Sequence, residues 1–440
     1  MTRKPRNRYV ANALLAAAAL LSAPTAYGDG IYEPVPLKDQ EQRLMEESRE
    51  LNGYFERQSL LYHDPRVVEL VASVGRSLAP PPTDDYIEYR FFVLRDPSPN
   101  AFALPNGDIY MHTGMLARLT DTAQLAAILG HEVNHVAGHH GIVQFRSTNK
   151  KIVASMVLSG VLGGLGGVIS TGLAASMYGF SRELEQEADD HAVDLLLASP
   201  YEPQALPEIY GVLARDYDGI TPRMPTIWST HPQLEARAAR TREQMAGAPP
   251  GRRDTEEFDA VVFPLRAMTI RDYIQDNYPR TAMALAENLA ARYPEQPELV
   301  QLTGDAWAAM GPLTELDEEE LSNRERARNA NRRIMRTRQE REAQLLKTPE
   351  GQAALRDNLS NARSAYQRAL ALDGNFAPAY RGLGEVAERL GEPRPAAAAY
   401  VEYLRKAPEA ADRAVILGRL RTLRDQLRTP ETSDAATTSN

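Results

Sequence analysis

Apolar side chains recur at helical spacing through most of the chain, and one stretch breaks that rhythm. Between residues 29 and 80, Leu44, Leu51, Leu60, Leu61, Val67, Val68, Leu70, Val71 and Val74 lie among charged residues, which predicts a helical entry segment ending at Pro80-Pro81-Pro82. The period then changes. Tyr86 to Leu94 is rich in aromatic and β-branched residues, and Asn100 to Leu104 and Ile109 to His112 flank Asn106-Gly107, a two-residue turn signal. A β-hairpin is expected here and in no other stretch, so the N-terminal part should be α+β and the whole chain mostly helical.

Helical spacing returns at Asp121. Asp121 and Gln124 resemble a capping box, and Leu125, Ile128, Leu129, Val133 and Val136 carry the pattern to Gly138 as a stop. A second helix is expected from Glu183 to about Ala198, burying Leu184, Ala188, Ala192, Leu195 and Leu196. Between the two, residues 152–180 are apolar and rich in glycine, including Gly160, Gly163, Gly164, Gly166, Gly167 and Gly172. The run is long enough to span a bilayer, but its glycines weaken a helix, and the reading favoured is a helical hairpin packed over the flanking pair. Peripheral contact with a membrane stays open.

A stretch from Ala246 to Glu257 holding Pro249-Pro250-Gly251 reads as a linker, and residues 258–427 as a separate all-α domain. There Tyr380, Leu383, Gly384, Gly391, Ala396, Tyr400, Leu404 and Pro408 fall at the intervals of a tetratricopeptide repeat. Ala362, Tyr366, Ala369 and Leu370 lie about one 34-residue period earlier, and a partial unit covers Ala282 to Pro294. A charged insert near 315–345, acidic at Glu315 and Asp317 to Glu320 and then Arg-rich from Arg324 to Arg341, predicts a long solvated helix. The tail over 428–440 reads as disordered.

Composition adds an address and removes one class of partner. With 440 residues, 43% apolar and 25% charged, the chain is globular and too long for one core. Arg3, Lys4, Arg6 and Arg8, the apolar run Val10 to Leu21 and the small residues up to Gly28 predict a cleaved signal peptide over residues 1–28. Its removal takes the net charge from −9 to −13, which argues against nucleic acid as a partner. The absence of cysteine leaves an exported protein to be held by its core and any metal it binds.

The chemistry lies on the first of the two expected helices. His131 and His135 are four residues apart, so both imidazoles can reach one metal ion, with Glu132 beside it as general base. Position 141 is Gly141, where a metzincin would have its third histidine. His139 and His140 read as exposed or mouth-lining residues. A carboxylate on the second helix remains: Glu185 and Asp189, also four apart, can present one carboxylate to the metal and the other to the outer N–H of a ligand histidine. Glu183, Glu187 and Asp190 should then be solvated.

Residues 131–135 (HEVNH), 181–189 (SRELEQEAD), 100–107 (NAFALPNG) and 113–116 (TGML) together resemble the zinc gluzincin metallopeptidases that include the CAAX prenyl proteases and the heat-shock membrane protease. The resemblance runs over about residues 40 to 245 and implies a gluzincin metallopeptidase domain over 29–245, one zinc ion per chain, Glu185 as third ligand and Asp189 behind a ligand histidine. It implies that His231, in Thr230-His231-Pro232 with Arg237 beyond, can take the fourth metal position; from its chemistry alone His231 is equally a transition-state donor or a loop residue. Asn100, Ala101, Phe102, Ala103 and Leu104 would pair with an extended substrate. The expectation is a periplasmic zinc endopeptidase acting on unfolded or misfolded proteins, with repeats for clients or for the outer-membrane protein assembly machinery. The alternative is a chaperone or assembly factor dominated by its repeats, with a metal site usually closed.

Overall fold

The computed structural model describes residues 33–147, 173, 180–215, 231, 233–314 and 331–428. The expected signal peptide, nearly all of the Gly-rich run, Thr230, Pro232, the charged insert up to 330 and the tail from 429 lie outside the described residues. The chain divides into two compact units, one running to Arg266 and one from Ala267 onward.

The first unit opens with α1 (Asp39–Arg57) and α2 (Pro65–Leu78). Pro65 presets the first turn of α2, and the Asp64 carboxylate accepts the Arg66 N–H at 2.9 Å. Three short strands follow, β1 (Arg90–Leu94), β2 (Ala101–Ala103) and β3 (Asp108–His112), in the order β1-β3-β2. The hairpin is where the turn signal put it: β2 and β3 pair antiparallel with Phe102 opposite Tyr110. Gly107 turns at φ 97°, and a Cβ there would lie 2.3 Å from the Glu88 carbonyl oxygen. β1 runs parallel to β3, from Arg90 opposite Asp108 to Leu94 opposite His112, so β3 is the central strand. Phe92 and Phe102 stack on Tyr110 at 5.1 and 5.0 Å, and Phe55 of α1 meets it edge-on at 5.2 Å.

Beyond the sheet come α3 (Thr113–Arg118), α4 (Thr122–Ala137), α5 (His140–Ser147), α6 (Arg182–Ala198), α7 (Ala205–Arg215), α8 (Leu234–Gln244) and α9 (Thr255–Gln275). Every residue of α4 is buried, since α2, α6, α7 and β2 all pack against it. The expected linker is tied down before α9 begins: the Arg252 N–H donates to the Pro200 carbonyl at 2.9 Å, and Arg253 pairs with Asp121 and Glu208.

The second unit continues with α10 (Pro279–Arg292), α11 (Pro297–Met310), α12 (Asn331–Leu345), α13 (Pro349–Leu372), α14 (Ala377–Arg389), α15 (Pro393–Lys406) and α16 (Arg413–Arg428). Rings pack where glycines leave room. A Cβ on Gly384 would meet Tyr400 at 2.4 Å, and one on Gly304 or Gly382 would meet Tyr366 at 2.6 or 2.4 Å. The described part of the charged insert is helical as expected, with one departure from a solvated face: Arg338 is buried against Glu342 at 2.9 Å. No helix among the described residues is long and apolar enough to cross a membrane.

Candidate metal centre

Two caps set the facing helices. Asp121 accepts the Gln124 N–H at 2.9 Å at the start of α4, and Gln124 in return accepts from the backbone of Thr120. Ser181 caps α6, whose buried face carries Glu185 and Asp189. The i, i+4 spacing on each helix then brings His131 and His135 opposite Glu185 and Asp189.

Four residues converge on one point. The Nε2 atoms of His131 and His135 are 3.0 Å apart, and His231 Nδ1 lies 3.2 Å from His131 Nε2 and 2.9 Å from Glu185 Oε1. His135 Nε2 is 3.5 Å from the same Glu185 oxygen, and one ligand atom from each of the four residues lies within 4.8 Å of all the others. Ligands at about 2.0–2.1 Å from a tetrahedral zinc ion are separated by roughly 3.3 Å, so the donor set fits that ion. Nitrogen lone pairs facing one another this closely in a buried site repel unless a cation lies between them.

Around this group the charges are arranged to keep Glu185 and His135 in their metal-binding forms. Asp189 Oδ1 lies 3.2 Å from His131 Nδ1, which places the ring proton there and leaves the Nε2 lone pair facing inward. Asp189 also accepts from Tyr210 at 2.8 Å and from Arg237 at 2.7 and 2.9 Å. Arg237 Nη1 is 2.5 Å from Glu185 Oε2, and its guanidinium lies 4.5 Å from the centre of the Tyr210 ring. Burial opposes ionisation of Asp189, but Arg237 and His131 outweigh it and hold the carboxyl below its usual range. The same holds for Glu185, where His231 and Arg237 outweigh burial. Burial and the neighbouring His131 push His135 down, toward the neutral imidazole that binds metal. For His231, burial is outweighed by Glu185 and Glu132, which raise it.

Glu132 is 1% exposed, and neither carboxylate oxygen has a hydrogen-bond partner among the described residues. The nearest histidine nitrogen is His231 Nε2, at 3.5 Å. A buried, unpartnered carboxylate is costly in a fold and is the arrangement a proton-transfer group requires.

Glu183 and Glu187 are exposed as expected, and Asp190 is half-buried against Arg240 at 2.7 Å. The exposed or mouth-lining reading of His139 and His140 is corrected: they are 5% and 1% exposed, because the chain turns back under α4 at this point. Asn100 to Leu104 are all buried, and β2 is the edge strand beside β3. Tyr210 and Phe180, which stacks on His135 at 4.2 Å, were not picked out from the sequence. Each is a single aromatic residue outside any motif, so only the folded structure reveals them.

The model of peptidase family M48 matches residues 63–245. The chain is 27% identical over 212 residues to the β-barrel assembly-enhancing protease of Escherichia coli (strain K12), covering 44% of this chain and 43% of that protein. It is 30% identical over 188 residues to metalloprotease LoiP of the same organism, covering 70% of it. It is also 30% identical over 193 residues to the mitochondrial metalloendopeptidase OMA1 of Danio rerio, covering 40% of it. The chain thus spans less than half the length of the β-barrel assembly-enhancing proteases it matches. The matched stretch is the one that builds the four-residue group, and the chain belongs to peptidase family M48.

Proposed function

We propose that the protein is a zinc endopeptidase that cleaves unfolded or misfolded proteins. The observation that carries this reading is the convergence of His131, His135, Glu185 and His231 beside a buried, unpartnered Glu132. His131, His135 and Glu185 would hold the ion, and His231 would take the fourth position in the resting state. When bound, zinc supplies the Lewis acidity that polarises a scissile carbonyl and acidifies water at neutral pH. Glu132 takes the proton of the attacking water on a carboxylate oxygen and delivers it to the departing amine nitrogen. Asp189 keeps the His131 proton on Nδ1, and Arg237 bridges the two buried carboxylates and offsets part of their charge. The edge strand β2 is the element an extended substrate would pair with, which suits unfolded clients.

The helical unit serves as a tetratricopeptide-like domain for clients or partners, with domain bounds at 29–245 and 258–427. The basic, apolar N-terminal segment and the relatives named for β-barrel assembly favour a periplasmic site of action and outer-membrane protein clients. Zinc analysis of the purified chain, with casein cleavage measured with and without a chelator, tests the activity. Protein that carries no metal and leaves casein intact defeats it.

A second reading, an assembly factor with a closed metal site, is favoured by one contact: His231 Nδ1 lies inside the ligand group. The two readings separate in cells carrying Glu132→Gln. Under the peptidase reading clients persist undegraded, and under the other their assembly proceeds as in wild type.

A further inference from the structure

The turn after α4 is tighter than a helix exit requires. Gly138 closes the helix, His139 turns at φ 55°, and His140 begins α5 folded back beneath it. Left-handed backbone is unfavourable for a residue with a Cβ, so His139 has to be held. Its backbone N–H donates to the Val136 carbonyl at 3.0 Å, and its Nε2 lies 2.8 Å from Asp84 Oδ2. The consequence is the position of His140. Its ring is 1% exposed, with Nδ1 only 2.9 Å from His135 Nδ1 and the two ring planes at 80°. The room for it comes from Gly138, where a Cβ would lie 2.5 Å from His140 Nε2 and 2.8 Å from its Cδ2.

Two imidazole nitrogens at this distance form a hydrogen bond only if one carries a proton and the other a lone pair. His135 Nε2 faces the ligand group, so the proton of its neutral ring belongs on Nδ1, and His140 Nδ1 is the acceptor. We propose that His140 is a positioning residue for the metal: it fixes the tautomer and orientation of His135 as Asp189 does for His131. Its own proton then sits on Nε2, which faces Glu187 Oε2 across 3.7 Å. This inference rests on the reading of His135 as a zinc ligand.

Zinc affinity of the full chain, measured by competition with a chromophoric chelator, tests it on two variants. His140→Asn keeps an acceptor oxygen near the position of Nδ1, whereas His140→Phe keeps a ring but accepts nothing. The Phe variant should bind zinc about 10- to 100-fold more weakly, with the Asn variant within about threefold of wild type. Gly138→Ala should match the Phe variant, and combining the two should add nothing. Equal affinity of wild type and His140→Phe overturns this inference alone, as does an Asn variant as weak as the Phe variant. Wild type that takes up no zinc overturns the metal reading and this inference with it. If His140→Phe does not fold, nitrogen NMR of zinc-loaded wild type decides: a His140 ring with its proton on Nε2 and a bare, hydrogen-bonded Nδ1 supports the proposal, and a His140 proton on Nδ1 overturns it.

Discussion

Both units bury polar groups, and they treat them in opposite ways. In the helical unit, Asp305 is enclosed by its own neighbours: Tyr366 donates to Oδ1 at 2.8 Å and Gln301 to Oδ2 at 2.5 Å. In the peptidase unit, His131, His135, Glu185 and His231 turn their acceptors toward one another, and Glu132 has no hydrogen-bond partner among the described residues. The first cluster is closed on itself and stabilises helix packing. The second is complete only with a cation at its centre, so converging acceptors, rather than burial, distinguish a reaction site from a structural polar core.

The largest test of that contrast is Glu132→Gln, which keeps the ligands and removes the base. Casein cleavage should fall about 100- to 10,000-fold with zinc content unchanged. Cleavage at the wild-type rate would mean that the converging cluster does not perform the reaction.

The closed cluster should respond to pH instead. Burial raises the Asp305 carboxyl to about 6, above its unfolded value, so the protonated form favours the folded state. That contribution is complete below about pH 4 and is lost as pH rises through about 6; at neutral pH the difference amounts to about 3 kcal/mol. Asp305→Asn should therefore stabilise the helical unit by about that amount at pH 7.5 and by much less at about pH 4.5. Urea unfolding at the two pH values measures it, and a difference that does not change with pH contradicts the assignment.

A smaller effect is expected behind the metal ligands. Asp189→Ala should weaken zinc binding by about 10- to 100-fold, as measured by chelator competition, because His131 loses the acceptor that sets its ring. Unchanged affinity would make the Asp189–Arg237 pair a packing element only.

Parts of this arrangement were readable from local spacing. The helical period and the caps at Asp121 and Gly138 place HExxH on a helix, and i, i+4 spacing pairs Glu185 with Asp189. Asn106-Gly107 marks the hairpin because the turn needs a residue at positive φ. The rest depends on tertiary contacts. Parallel pairing of β1 with β3 leaves no mark in alternation, since it arises because the chain passes over the position of β3 to form β2 and then returns to the centre of the sheet. Tyr210 reaches Asp189 from a helix 21 positions away and is one of 19 tyrosines. The burial of His140 depends on a left-handed His139, a conformation that residue type does not announce.

The smallest predicted effect concerns His231, which touches both sides of the site. Its Nδ1 lies among the ligands and its Nε2 is 3.5 Å from Glu132 Oε1, so in this position it fills the place a substrate carbonyl or water would need and stands next to the base. If that is the resting state, only the uncapped fraction is competent, and the observed rate is reduced by that fraction. His231→Ala should then retain zinc and cleave unfolded casein faster, by up to about tenfold if nine-tenths of the molecules are capped. The competing role reverses the sign, because removing a transition-state donor slows cleavage by about 100- to 1000-fold with zinc still bound. Initial rates beside zinc content separate the two: a faster variant with full zinc makes His231 a cap, and a strongly slowed one makes it part of the machinery that Glu132 serves.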